Sequence, residues 1–141
     1  MGGGFNQFPL RDPESVLSIT TEAFSQLDEG NSSGAVHKLM SIHRVGISRA
    51  SKIIGLSDQD SYCIYDSRVG TALRSLKHDG KRIVLCPQGR SRGGDVCTNK
   101  QWAENYEQLI WTLEVTRDYL NRQGYPFRIA DVEMALFMIG K

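Results

Sequence analysis

The stretch Leu39-Met40-Ser41-Ile42-His43-Arg44-Val45-Gly46-Ile47-Ser48-Arg49-Ala50-Ser51-Lys52-Ile53-Ile54 decides how the chain is read. Val36, Leu39, Met40 and Ile42 form one helical stripe, and Ala50, Ile53 and Ile54 turn inward on a second at spacings of three and four. Between them His43 to Gly46 is a four-residue break centred on an apolar residue followed by glycine. Ala50 is small enough to let the two helices approach closely. A turn of this kind, at a helix N-terminus, aims successive backbone N–H groups at one phosphate. Arg44 and Arg49 then add charge-assisted contacts to phosphate oxygens. The same residues also describe an ordinary antiparallel helix pair with glycine at a tight turn.

Outward from this stretch the pattern stays helical. Asp12-Pro13 followed by Val16, Leu17, Ile19, Ala23, Phe24 and Leu27 predicts a capped helix with proline at its first position. Gly30 to Gly34 is the polar turn that ends it. Asp66 is placed to cap a helix through Val69, Leu73 and Leu76. His78-Asp79-Gly80 is a turn, Arg82 to Leu85 a short extended run, and Pro87 to Gly94 a Gly- and Arg-rich loop. Trp102, Tyr106, Leu109, Ile110, Leu113, Tyr119 and Leu120 mark a long amphipathic helix, with Trp102, Tyr106 and Trp111 expected in the core. Gly124-Tyr125-Pro126 stops it, and Asp131 opens a last apolar helix through Met134, Leu136, Phe137 and Ile139. The expectation is a mostly α, compact single-domain fold over 1–141 containing a helix-hairpin-helix. It has at most a short extended segment near 82–85, and residues 1–8 are expected to be flexible.

Bulk properties exclude several classes. At 141 residues, with 40% hydrophobic and 23% charged content, the composition is that of a globular domain. No apolar run approaches the roughly 18 residues needed to cross a bilayer, and the Met-Gly-Gly-Gly start lacks a signal-peptide pattern. Cys63, Cys86 and Cys97 are an odd number without paired spacing, which argues against a disulfide framework or a zinc site and suits a reducing cytoplasm. His37, His43 and His78 show no ligand spacing, so neither a metal nor another cofactor is expected. The net charge is +1, but its distribution is uneven. Residues 30–57 carry Lys38, Arg44, Arg49 and Lys52 without an acid, and 68–100 carry eight Lys/Arg against Asp79 and Asp95. A basic middle of this kind either faces a polyanion or forms solvated helix faces.

Asp66 lies twenty residues after Gly46, preceded by Cys63-Ile64-Tyr65 and followed by Ser67-Arg68-Val69. In that spacing the sequence resembles the helix-hairpin-helix family of base-excision DNA glycosylases, and within it proteins of the 8-oxoguanine glycosylase fold. The resemblance covers residues 33–76, and more loosely 128–141, where a final helix would line a base pocket. It implies a hairpin over Ile42 to Ala50 that grips the phosphate backbone of double-stranded DNA, and Asp66 as the catalytic residue. Cleavage of a base–sugar bond builds oxocarbenium-like charge, which one carboxylate beside the sugar stabilises while orienting a water. The other role open to Asp66 is a plain helix cap. Candidate nucleic-acid contacts are Arg44, Val45, Gly46, Ser48, Arg49, Lys52, Arg68, Arg90 and Arg92.

The chain departs from the family at three points. Arg44 stands where the hairpin usually has its first glycine. Ser48 stands where bifunctional members carry the attacking lysine, and Lys52, a turn further on, is expected to point along a different face. The chain is also shorter than the family fold. A glycosylase of this kind is therefore monofunctional, and the alternative is a binding or interaction module that has lost base excision. A rival enzyme pattern is Cys86, Gly89 and Arg92, which fit the Cys-x-x-Gly-x-x-Arg core of a cysteine phosphatase loop. Leu85 before the cysteine, Gly93-Gly94 after the arginine and the absence of strand–helix alternation weigh against it.

Overall fold

Asp12 and Pro13 start the first helix as their chemistry dictates: the Asp12 carboxylate accepts the Ser15 N–H at 3.1 Å, and proline fills a position whose N–H has no helical partner. The computed structural model describes residues 12–87 and 93–140, so the expectation for residues 1–8 lies outside the described residues. Helix α1 (Pro13–Asp28) ends at Gly30, whose φ of +78° reverses the chain. Asn31 then caps α2 (Ser32–Leu39) by accepting the Gly34 N–H at 2.9 Å. These are followed by α3 (Ile47–Ser57), α4 (Ser67–Ala72), β1 (Lys77–His78), β2 (Lys81–Arg82), α5 (Asn99–Arg122) and α6 (Ile129–Ile139). The described chain is mostly helical, and none of its helices is long and apolar enough to cross a membrane.

Several local expectations shift. The break between α2 and α3 runs over 40–46 rather than four residues, because α2 ends at Leu39 while Met40 and Ile42 still bury their side chains. Ile53 faces outward at 39% exposure, whereas Ala50 and Ile54 are fully buried. The extended segment is a two-stranded hairpin, Lys77 opposite Arg82, turned by Asp79 and Gly80 at φ +50° and +76°. Positive φ at both turn residues matches the twist of a tight antiparallel pair. Helix α6 starts at Ile129, with Asp131 in its first turn bonded back to Arg128, and it buries Ile129, Val132 and Glu133 while Met134 and Ile139 face out.

Helix α5 is the axis of the core. A Thr98–Gln101 capping box opens it, and Ala103, Tyr106, Leu109, Ile110 and Leu113 face inward, with α5 packed against α2, α3 and α6. The contacts are close enough to exclude side chains. A Cβ at Gly55 of α3 would lie 2.8 Å from the Cys63 carbonyl carbon, and one at Gly140 would lie 1.9 Å from the Arg68 carbonyl oxygen. Between α3 and α4 the non-helical segment Cys63–Tyr65 runs through this core, with Cys63 and Tyr65 at or below 1% exposure. Its backbone finds partners in side chains: the Tyr106 hydroxyl donates to the Cys63 carbonyl at 2.9 Å, and Ser51 Oγ accepts the Tyr65 N–H at 2.8 Å. Ser51→Ala is expected to cost about 1–3 kcal/mol, because it leaves the buried Tyr65 N–H without an acceptor. Urea unfolding with an unchanged midpoint would show that this bond is dispensable.

Candidate functional site

The turn between α2 and α3 presents backbone before it presents side chains. Gly46 is the N-cap of α3 with φ −91°, and among the described residues no side-chain cap hydrogen bond closes the start of this helix. The positive end of the helix dipole thus lies at the exposed Gly46, in a stretch without acids. Arg44, exposed, holds a left-handed φ of +61°, a conformation that costs a side-chain-bearing residue on the order of 1 kcal/mol. The Arg49 guanidinium donates to the Arg44 carbonyl at 2.8 Å, so one arginine fastens the backbone that carries the other.

Arg44, Gly46, Ile47, Ser48 and Arg49 form one wall of a cavity of about 480 Å³. Its other lining comes from Pro87, from Asp95 to Cys97, and from the start of α5 at Asn99 and Trp102. Val45 sits half-buried against the core instead. Ser48 and Lys52 are four residues apart on α3 and share a face, which corrects the expectation of different faces; one turn of rise, about 6 Å, separates them. Lys52 is exposed, and Arg68, also exposed, stacks its guanidinium 4.4 Å from the centre of the Phe137 ring on α6. Arg90 and Arg92 lie outside the described residues.

Asp66 is the N-cap of α4. Its Oδ1 accepts the N–H groups of both Arg68 and Val69, at 3.1 and 3.0 Å. Beside it stands an acid that the sequence argument missed. Glu133 of α6 is 7% exposed, and its carboxylate accepts the Ile64 backbone N–H. Burial first, then the negative charge of Asp66, pushes its carboxyl up from 4.5 to about 7. The available signal was periodicity: Glu133 falls on the same stripe as Ile129, Val132, Leu136 and Phe137, where an acid is out of place.

Of the phosphatase pattern, Gly89 and Arg92 lie outside the described residues, and the described member, Cys86, is not exposed as a reactive thiol. Cys86 is fully buried, its sulfur lies 3.6 Å from the Ser67 carbonyl, and its N–H donates to Asp95 at 2.8 Å. A nucleophile sealed against an acceptor carbonyl has no route to a phosphate ester. The aromatic residues divide as well. Tyr106 is core as expected, Trp102 is half-buried at the cavity by the turn, and Trp111 is 56% exposed. Trp111 lines a second cavity, of about 830 Å³, with His78, Lys81, Arg82, Glu104 and Glu107.

No family model, curated protein or solved structure matches this chain.

The Glu133 carboxyl supplies a stability test whose sign is fixed. Between about pH 4.5 and 7 the native state holds a proton that the unfolded chain has released, so this group's contribution to stability falls as pH rises and levels off above 7. The effect is bounded at about 3 kcal/mol. Glu133→Gln keeps an acceptor for the Ile64 N–H and cannot ionise. Its stability relative to wild type should therefore rise from pH 4.5 to pH 7 in parallel urea titrations. A difference that stays flat across that window would mean that Glu133 is not held in a desolvated, acid-facing position.

Proposed function

We propose that this protein is a glycosylase-like nucleic-acid-binding protein that grips a phosphate backbone with the α2–α3 turn acting as a helix-hairpin-helix. The observation that carries this reading is the uncapped start of α3, opening with Arg44 and Ser48 onto one cavity. Backbone amides at a helix N-terminus take an anion without reorganising, and the neighbouring arginines add the salt-dependent part of the affinity. Arg44 replaces a backbone contact with a charged one at the position where a glycine would otherwise serve. Double-stranded DNA is the preferred partner, in keeping with the resemblance over residues 33–76.

Base excision is the enzymatic form of this proposal, with Asp66 stabilising the sugar cation and water as the nucleophile. The serine at position 48 offers no amine for imine chemistry, so excision would yield an abasic product without strand scission. A specific observation favours the second reading, a binding module without excision. Asp66 Oδ1 is already spent on two α4 amides, and neither cavity described above is bordered by Asp66. Duplexes carrying damaged bases decide between the two. Base release by wild type that Asp66→Asn loses, with binding retained, supports the enzyme; binding without release from any duplex supports the module.

Gly46→Asp tests the grip itself. Open space surrounds the position and φ is ordinary there, so the new carboxylate fits and can cap α3, adding about 0.3 kcal/mol of stability. The same carboxylate occupies the amides and repels phosphate. Duplex affinity should fall by about ten-fold or more while the urea midpoint holds or rises. Unchanged affinity in a well-folded variant would remove the turn from the interface.

A further inference from the structure

We infer that the cavity between the α2–α3 turn and the start of α5 takes one complete nucleotide unit, its phosphate at the α3 N-terminus and its heterocyclic base against Trp102. This rests on the proposed backbone grip and deepens it: a duplex held only from outside offers a phosphate here but no base. The two walls differ in the way such a ligand requires. One is the α3 start with its arginines, from Arg44 to Arg49, and the other sets Pro87, Val96 and Trp102 as an apolar and aromatic surface beside Asp95, Cys97 and Asn99. A volume of about 480 Å³ falls within the range of small-ligand cavities, about 300–1,000 Å³.

The aromatic wall is preorganised. Tyr65 meets the Trp102 ring edge-on, with centroids 5.9 Å apart and planes at 77°, and the Tyr65 hydroxyl is fixed by the Leu85 carbonyl at 2.6 Å. Trp102 is thus held by a residue that is itself fully buried, which limits the ordering cost when a base stacks on it. Asn99 places an amide in the same lining, and its Nδ2 donates to the Met40 carbonyl at 3.5 Å.

Among the described lining residues Asp95 is the one acid, and it is ion-paired with Arg82. Asp95 spends one oxygen on Arg82 and the other on the Cys86 N–H. Burial and Asp95 push the Cys97 thiol up, so it stays neutral and is no nucleophile. The cavity is built to hold a nucleotide, not to attack one. The second cavity lacks this division, since Glu104 and Glu107 face Lys81 and Arg82 across it.

Two tryptophans make the test direct, because Trp111→Phe, at an exposed position, leaves Trp102 as the sole indole reporter. In that background adenosine 5′-monophosphate should change Trp102 emission saturably. It should bind about ten-fold more tightly than ribose 5-phosphate or inorganic phosphate, the stacking contribution of one base. Gly46→Asp added to the same background should abolish the response. A short single-stranded oligonucleotide that displaces the monophosphate at lower concentration assigns the site to a strand-borne nucleotide. An oligonucleotide that fails to displace it assigns the site to a free one, and both outcomes support the pocket. Equal affinity for monophosphate and inorganic phosphate, or unchanged emission, overturns it. Duplex binding that remains sensitive to Gly46→Asp in that case leaves the backbone grip intact. Duplex binding insensitive to that change, with the monophosphate still bound, would sink the grip and not the pocket.

Discussion

The constraint on which the structure depends is the satisfaction of a buried stretch of backbone that is neither helix nor strand. Cys63–Tyr65 crosses the core, where an unpaired amide or carbonyl costs as much as a lost hydrogen bond. Its backbone partners come from three separate helices, and a side-chain bond ties it to a loop. Tyr106 of α5 takes the Cys63 carbonyl, Glu133 of α6 takes the Ile64 amide, Ser51 of α3 takes the Tyr65 amide, and the Tyr65 hydroxyl reaches the Leu85 carbonyl. Each bond is modest in net terms, but each missing one would leave a desolvated group behind. The segment is therefore a knot of mutual dependence rather than a linker, and glycine at position 55 is what lets α3 lie against it.

The two functional features descend from this arrangement. At one end of the segment Asp66 emerges to cap α4, close enough for its charge to help raise the Glu133 carboxyl. From its side, Tyr65 props Trp102 at the edge of the cavity below the α2–α3 turn. A change in α6 or α5 that loosens the segment would thus disturb both the acid pair and the aromatic wall. The acid pair is a liability for folding above neutral pH, and a buried acid kept at such a cost marks a place where chemistry or switching repays attention.

Local chemistry made part of this legible in the sequence. Asp12-Pro13, the Asp79-Gly80 turn, the stop after Arg122 and the Asp66 cap are each written in adjacent residues, and each stands where its residue types place it. What the sequence concealed is non-local. Met40 and Ile42 look helical because they are apolar at helical spacing, yet they are buried in the turn that follows α2. Ile53 looks like core because its neighbours are, but it lies at the margin of the packed α3 face and stays 39% exposed. The left-handed conformation at Arg44 defies residue preference and is fastened by Arg49 from the next helix. Glu133 and the Asp95–Trp102 wall gain meaning only once α6 and α5 dock, and no spacing along the chain reports that docking.

Backbone amides are the centre of this account, and amide NMR reports on them without a substitution. The measurement is a titration of isotopically labelled protein with a short DNA duplex at low salt, following every resolved amide and both indole N–H signals. The largest changes should fall on Ile47 and Ser48 at the start of α3 and on the flanking Arg44, and should weaken steeply with added salt. Shifts centred instead on Lys81, Glu107 and the Trp111 indole, with the α3 amides unmoved, would contradict it.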